Sequence, residues 1–293
     1  MTPSRSDFIR VRDLRYHVRR WGDPGAPKVL LLHGWLDVSA TWQHVVEGLL
    51  PRWQVLCPDW RGFGYTQWPE DGYWFPDYVG DLDVIADHYS PGAQLLLAGH
   101  SMGAQVASLY AGLRPARVAK LACLDGLFLP DMDSKNAPRR FRAWLDELKD
   151  LPKQKTYASF SELAVRVKKQ HPELSEERAQ FVAKCWGRED GYARISLCAD
   201  PKHRLSGPGL YRAEEALAIW GEVTAPTLFV DGEKSPFGKA ISAEETRRRR
   251  AAFRVHREVL VPGGTHMLHF SAPEATARAI ADFFADPSLS SVP

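Results

Sequence analysis

Short apolar runs alternate with longer amphipathic segments along most of the chain. The strand-length runs, apolar at most positions, cover residues 28–34, 53–60, 94–101, 119–126, 225–232 and 256–264. Helix-length segments lie near residues 40–49, 77–89, 102–113 and 272–284. Strands that lack a polar face belong to a parallel sheet covered by helices on both sides. The pattern therefore predicts an α/β fold with a mostly parallel sheet, preceded by two strands at "FIRV" and "LRYHVRRWG".

Residues 127–220 break this rhythm. They contain no convincing strand pattern, and apolar residues recur there at helical spacing. Four helices are predicted, at "RRFRAWLDELKDL", "SFSELAVRVKKQH", "SEERAQFVAKCW" and "AEEALAIW". We expect residues 1–126 and 221–293 to form the α/β core and residues 127–220 to form a helical cap inserted into it.

Composition adds few constraints on partners. The 293 residues are 44% hydrophobic and 25% charged, which suits one large globular domain with an insertion, and the net charge of +2 suggests no nucleic-acid partner. The basic run Arg247–Arg250 is predicted to be the solvated face and C-terminal end of a helix. Composition does not indicate an oligomeric state.

The chain shows no sign of membrane insertion or export. No window is apolar enough to span a bilayer, and the first residues contain no apolar stretch of signal-peptide length. The four cysteines are scattered without CxxC spacing and are interpreted as free thiols in a reducing compartment. A cytoplasmic protein is the resulting expectation.

The segment "LLLAGHSMGAQVASLYAGL" carries the clearest chemical signal. Its G-x-S-x-G spacing, Gly99 to Gly103, lies between an apolar strand and a helix. A turn this tight strains the backbone of its central residue, and glycine on either side avoids steric clashes. Ser101 is therefore predicted to be a nucleophile exposed above the sheet.

At this point the chain resembles the α/β-hydrolase family over nearly its whole length. The matching motifs, in the order of the family, are "LLLHGWLDVSATW", "DWRGFGYT", "GHSMG" and "VPGGTHMLHFSAPEATARAIADFF". The resemblance implies an α/β-hydrolase core. It also implies an oxyanion hole formed by the backbone amides of Trp35 and Met102, each worth about 3 kcal/mol of transition-state stabilisation.

The resemblance also indicates which of the ten histidines is the base. His266 follows a strand and two glycines and precedes a helix, where the family places its histidine. His269, three residues later, is the weaker alternative. His33 and His100 are interpreted as packed side chains beside the site.

The acid is the one departure from the family pattern. After the strand at "TLFVDG", the usual G-x-x-D position reads Gly232-Glu233-Lys234-Ser235, and serine carries no charge that would stabilise an imidazolium. The strand "KLACLDG" ends in Asp125, at a site that some members of the family use instead. We predict Asp125 as the acid. Glu233 and Asp231 remain as alternatives, and a turn role for Asp125 remains open.

A serine nucleophile favours acyl transfer. The expected substrate is a small apolar carboxylic ester, lactone or thioester held under the cap. The pocket residues are predicted to be Trp35 together with Trp60, Phe128, Leu129 and Trp186, although each also fits a core position. The sequence shows no metal-ligand cluster and no phosphate-binding loop, so no cofactor and no metal are implied. Other chemistry on the same three residues, namely carbon–carbon bond hydrolysis or a cofactor-free lyase reaction, and a small-ligand receptor are the rival functions.

Overall fold

The apolar runs form strands at the expected places. A computed structural model describes residues 1–289, so the last four residues of the predicted core lie outside it. Its strands are β1 (Arg5–Val11), β2 (Leu14–Trp21), β3 (Lys28–Leu32), β4 (Gln54–Pro58), β5 (Leu95–His100), β6 (Val118–Leu124), β7 (Thr156–Tyr157), β8 (Gly187–Glu189), β9 (Ile195–Leu197), β10 (Thr227–Gly232) and β11 (His256–Val261).

The helices also follow the predicted pattern. They are α1 (Gln43–Glu47), α2 (Phe75–Tyr89), α3 (Met102–Leu113), α4 (Ala137–Glu147), α5 (Phe160–Gln170), α6 (Glu176–Trp186), α7 (Ala213–Trp220), α8 (Ala243–Ala251), α9 (Leu268–Ser271) and α10 (Pro273–Ala285).

One eight-stranded sheet organises the core, in the order β1-β2-β4-β3-β5-β6-β10-β11. The pairings β1–β2 and β2–β4 are antiparallel, and all the others are parallel. The carboxyl ends of β3, β5, β6, β10 and β11 therefore lie at one edge of the sheet. In open α/β sheets this edge is where ligands bind.

Apolar side chains cover both faces of this sheet, as the strand pattern predicts. On one face, Leu82 of α2 and Tyr110 of α3 belong to a buried cluster with the strand side chains. On the other face, Val45 of α1 and Ile280 of α10 belong to a second cluster. Two helical layers thus leave the middle strands no solvent-facing side, which explains their uniform apolarity.

The cap contains short strands that the sequence pattern does not reveal. Besides α4, α5 and α6 it holds a three-stranded antiparallel sheet in the order β7-β9-β8. The expectation that residues 127–220 contain no strand is therefore wrong. Each of these strands is two or three residues long, too short to produce a detectable alternation.

The end of the predicted cap packs on the core. Helix α7 contributes Trp220, which is fully buried in the main core cluster and donates its indole N–H to Ser108 of α3 at 2.9 Å. The domain boundary at residue 220 stays a prediction.

The basic run is only partly a solvated face. Arg249 is 2% exposed and donates to the carbonyl oxygens of Leu127 (2.7 Å) and Leu129 (2.8 Å), while Arg250 pairs with Asp231. The interpretation as solvation is wrong for these two arginines because both side chains are buried and hydrogen-bonded to other residues. Among residues 1–289, no helix is both long and apolar enough to cross a membrane.

Candidate active site

Ser101 lies at a strained turn between β5 and α3. Its φ is +52°, in a region that residues with a side chain rarely adopt. A Cβ on Gly99 would lie 2.3 Å from the carbonyl oxygen of Gly103, and one on Gly103 would lie 2.2 Å from that of Leu32. Only glycine fits at these two positions, which is the mechanical reason for the G-x-S-x-G spacing.

The two predicted oxyanion donors belong to residues close to Ser101 in the chain or in space. Met102 is the first residue of α3, where backbone N–H groups have no intrahelical acceptor. Gly34, directly before Trp35, packs so closely that a Cβ there would lie 3.2 Å from the Cβ of Ser101. Trp35 itself is 49% exposed. Its role as an oxyanion donor stays a prediction.

His33 and Trp60 support the loop after β3 that carries Trp35, called the oxyanion loop below (residues 33–38). The Trp60 backbone N–H donates to His33 Nε2 at 2.9 Å, and the Trp60 indole N–H donates to the His33 carbonyl oxygen at 2.9 Å. The other ring nitrogen of His33, Nδ1–H, therefore donates to the Gly34 carbonyl oxygen at 2.8 Å. Burial lowers the pKa of His33, which keeps the ring neutral. The interpretation of His33 as a packed side chain agrees with these contacts.

His266 lies between Ser101 and Asp125. Its Nδ1–H donates to Asp125 Oδ2 at 2.6 Å, which leaves Nε2 free to accept from the Ser101 hydroxyl at 3.1 Å. The Phe237 ring packs on the imidazole at 4.1 Å between centroids. This is the arrangement that a serine nucleophile, a general base and an orienting acid require.

Asp125 is buried and is held by three donors. It follows β6 with a φ of +42° and is 1% exposed. Besides His266, the Gly232 N–H donates to its Oδ1 at 3.2 Å and the Ser235 hydroxyl donates to its Oδ2 at 2.5 Å. Three hydrogen bonds to its oxygens offset the cost of burying this carboxyl group.

The two rival acids have other partners. Asp231 pairs with Arg250, and Glu233 accepts from the Gly263 N–H at 2.8 Å. Burial raises the pKa of Asp231, and the Arg250 charge opposes that shift. The structure therefore brings Asp125, rather than Asp231 or Glu233, into contact with His266.

A second buried group beside the site escaped the sequence analysis. Asp37 accepts from His269 Nε2–H (2.8 Å), from the Trp186 indole N–H (2.8 Å) and from the Thr41 hydroxyl (3.1 Å). It thereby joins the oxyanion loop, the cap and the helix after His266. A lone aspartate within "HGWLD" gives no signal of this role because Trp186 and His269 lie more than 140 residues away along the chain.

His269 and His100 complete this group. His100 Nε2–H donates to the His266 carbonyl oxygen at 2.7 Å, and burial lowers the pKa of His100 well below its usual value. The ligand-type atoms of Asp37, His100 and His269 lie within 4.8 Å of one another, so these three residues could hold a metal ion. His269 bonds to Asp37 and has no contact with Ser101 that would make it the base.

The predicted pocket residues do not meet in one cavity. A cavity of about 90 Å³ between cap and core is lined by Leu36, Val38, Leu163, Arg166, Gln170, Trp186, Leu197, Cys198, Ala199 and Arg204. Of the predicted set, it includes Trp186 alone. Trp60 is fully buried against His33, Phe128 is buried near Arg249, and Leu129 is 48% exposed. The sequence could not separate these outcomes because each residue is large and apolar and fits a core position as well as a pocket position.

Comparison with known proteins identifies the family. A model of the α/β-hydrolase fold matches residues 27–273. The chain belongs to the α/β-hydrolase family. A 2-(acetamidomethylene)succinate hydrolase of Mesorhizobium japonicum is 27% identical to this α/β-hydrolase over 283 residues, 94% of the chain and 93% of the relative. A serine hydrolase-like protein of Danio rerio is 28% identical over 279 residues, 90% of the chain and 83% of the relative.

Solved structures give the same answer for the fold. A thioesterase domain from the curacin biosynthetic pathway superposes on this α/β-hydrolase with a TM-score of 0.84 at 24% identity, covering 95% of the chain and 99% of that domain. The predicted fold class, an α/β-hydrolase core with a mostly parallel sheet, is confirmed. Hydrolases among the relatives support an enzyme of the hydrolase class.

Proposed function

We propose that the protein is a serine hydrolase that cleaves a carboxylic ester or a related acyl compound, such as a lactone or a thioester. The observation that carries this proposal is the position of His266, hydrogen-bonded to Ser101 through one ring nitrogen and to Asp125 through the other. That arrangement both activates a hydroxyl and orients the base.

The reaction follows from these contacts in two steps. The Ser101 oxygen attacks the substrate carbonyl carbon while His266 Nε2 takes the hydroxyl proton, and the Trp35 and Met102 amides stabilise the oxyanion. Collapse breaks the bond to the leaving group, which receives the proton from His266. Water then loses a proton to His266 and attacks the acyl-enzyme, which releases the acid and restores Ser101. Asp125 stabilises the imidazolium in both steps.

The substrate is a small molecule held under the cap. The cavity of about 90 Å³ is lined by Leu36 and Val38, which closely follow Trp35, but not by Ser101 or His266. Its small volume supports a short acyl group over a polymer. Its lining is mostly apolar but includes Arg166 and Arg204, so short acyl groups with a terminal carboxylate belong in the substrate panel beside apolar ones. The relative named 2-(acetamidomethylene)succinate hydrolase is a second reason to include them.

The test measures labelling and turnover together. We expect a fluorophosphonate probe to label Ser101, located by mass spectrometry, and acyl esters, lactones or thioesters to be hydrolysed. Diketone substrates in the same panel test carbon–carbon bond hydrolysis. Absence of labelling at Ser101 would contradict the proposal. Labelling with tight ligand binding and negligible turnover would favour a receptor.

We further propose that this hydrolase works in the cytoplasm without a cofactor. All four cysteines are free thiols, which suits a reducing compartment. The proposed mechanism requires the side chains and amides named above together with water.

A further inference from the structure

Ser235 occupies the position where the family usually places its acid. It follows β10 by three residues, in the turn that reads Gly232-Glu233-Lys234-Ser235. Its hydroxyl donates to Asp125 Oδ2 at 2.5 Å. The same oxygen accepts from His266 Nδ1–H at 2.6 Å. Ser235 and His266 thus donate hydrogen bonds to the same carboxylate oxygen of Asp125.

The Ser235 hydroxyl has a fixed direction. Its oxygen accepts from the Phe237 N–H at 3.2 Å, while the Ser235 N–H donates to the Gly232 carbonyl oxygen at 2.9 Å. One lone pair is therefore engaged and the backbone is held in a turn. The hydroxyl hydrogen is therefore donated to Asp125, because a carboxylate can only accept hydrogen bonds.

Two donors on one oxygen have a chemical consequence for His266. The Ser235 bond fixes the plane of the carboxylate, which in turn fixes the orientation of the imidazole. It also withdraws negative charge from Oδ2, so the carboxylate attracts the imidazolium less strongly than a bare one would. Loss of the hydroxyl should misplace the base slightly and at the same time make it easier to protonate.

We infer that Ser235 is a positioning residue for the Asp125–His266 pair, and that a carboxylate at position 235 can replace the one at 125. The inference rests on the proposed function, since it concerns the same site. The second part follows from distance: the Ser235 oxygen contacts the very atom that holds His266 Nδ1, so an aspartate there reaches the same imidazole.

The first test compares Ser235→Ala with Ser235→Thr, which keeps the hydroxyl. The matched control is Ser271→Ala, because the Ser271 hydroxyl accepts from Thr265 N–H at 3.0 Å within the His266 loop without touching Asp125. We expect Ser235→Ala to lower kcat about 10-fold with KM unchanged, and to move the acidic limb of the pH–rate profile to higher pH. Ser235→Thr should restore both, and Ser271→Ala should alter neither.

A spectroscopic readout separates this inference from the proposed function. Proton NMR of the resting protein detects the downfield Nδ1–H of His266, whatever the substrate is. We expect that resonance to shift in Ser235→Ala and to stay in Ser271→Ala. An unshifted resonance, or kcat and pH profile unchanged in Ser235→Ala, would overturn the positioning role. A wild-type protein that shows the resonance but neither labelling nor turnover would instead contradict the proposed function.

The second test moves the acid. Asp125→Asn alone is expected to lower kcat by a factor on the order of 10⁴. The double variant Asp125→Asn with Ser235→Asp should recover at least about 10-fold of that loss, in line with the contribution of an orienting acid. A double variant that folds, by circular dichroism, but is no more active than Asp125→Asn would show that position 235 cannot serve His266.

Discussion

Two serine–histidine–aspartate chains occur among residues 1–289, and their hydrogen bonds are nearly alike. In the candidate triad, His266 lies 3.1 Å from Ser101 Oγ and 2.6 Å from Asp125 Oδ2. On strand β2, His17 Nε2 lies 2.9 Å from Ser6 Oγ and His17 Nδ1 lies 2.7 Å from Asp59 Oδ2. Distances within the two chains do not distinguish them.

Their surroundings differ in every other respect. Ser6 lies within the regular strand β1, paired with Arg19 of β2, whereas Ser101 has a φ of +52° and begins a helix. Strand β1 is held in a regular ladder with β2. The turn at Ser101 instead leads into a helix, and the Met102 N–H at its first position has no intrahelical acceptor.

Asp59 also differs from Asp125 in what it holds. It accepts from the Ser39 N–H at 2.6 Å and the Tyr65 N–H at 3.0 Å, so it ties together two loops after β3 and β4. The comparison indicates that a hydrogen-bonded chain fixes structure by default. It becomes reactive only where a strained turn and free amides lie beside the hydroxyl.

The largest expected difference comes from removing each serine. Ser101→Ala should lower ester turnover by a factor of about 10⁵–10⁶ and abolish fluorophosphonate labelling, because the nucleophile is lost. Ser6→Ala should leave ester turnover and labelling within about 2-fold of the wild-type values. It removes a single hydrogen bond, which contributes about 1 kcal/mol or less to stability, so the protein stays folded. Kinetics and mass spectrometry of the adduct measure both. A probe adduct on Ser6 would refute the distinction.

Replacing each aspartate separates catalysis from stability. Asp125→Asn should lower kcat by a factor on the order of 10⁴, as a misoriented base does. Asp59→Asn should lower the free energy of unfolding by about 3 kcal/mol, because a buried pair is broken, and should leave the kcat of the folded protein within a few-fold. Urea unfolding and steady-state kinetics on both variants provide the measurement. Equal kinetic losses in the two variants would contradict the assignment.

The oxyanion loop gives an intermediate effect. An alanine Cβ at position 34 would lie 2.9 Å from His100 Nδ1 and 3.2 Å from Ser101 Cβ, so the loop must shift. Gly34→Ala should therefore lower kcat by about 10²–10³, the range for one lost oxyanion donor. Gly25→Ala is the matched control, because its nearest neighbour would be 3.4 Å away. Similar kinetics for the two variants would place the oxyanion donor elsewhere.

The sequence predicts the sheet and the tight turn at Ser101 because both depend on the pattern of neighbouring residues. Uniformly apolar strands require two covered faces, and G-x-S-x-G requires a sharp turn, so both features are visible within a few residues. The family resemblance added His266, whose contact with Ser101 spans 165 positions. Asp125 was predicted because position 235, the usual place of the acid, is a serine.

Features set by distant partners were not predictable. Asp37 is hydrogen-bonded to Trp186 and His269. Ser235 is hydrogen-bonded to Asp125, and Arg249 is hydrogen-bonded to two backbone carbonyl groups. The pocket predictions failed for a related reason. Trp60 is apolar and follows a strand like a pocket residue, but its indole N–H bonds to the His33 carbonyl oxygen in the core.

The smallest expected effect concerns acid stability at Asp59. Burial alone raises the pKa of Asp59, but the hydrogen bond and charge of His17, with further help from the Ser39 amide, hold it at about 2. An unfolded aspartate titrates near about 3.9. The folded state thus binds the proton less readily. The resulting stability, about 2.5 kcal/mol, is fully present above about pH 4 and is lost as the pH falls towards 2.

Urea unfolding between pH 6 and pH 2 tests this contribution. The difference in unfolding free energy between the wild-type protein and Asp59→Asn should shrink by about 2 kcal/mol over that range, because asparagine does not titrate. Ser6→Ala, which keeps the His17–Asp59 pair, should retain the wild-type slope. An acid slope in Asp59→Asn as steep as that of the wild-type protein would mean that Asp59 is not held ionised by His17.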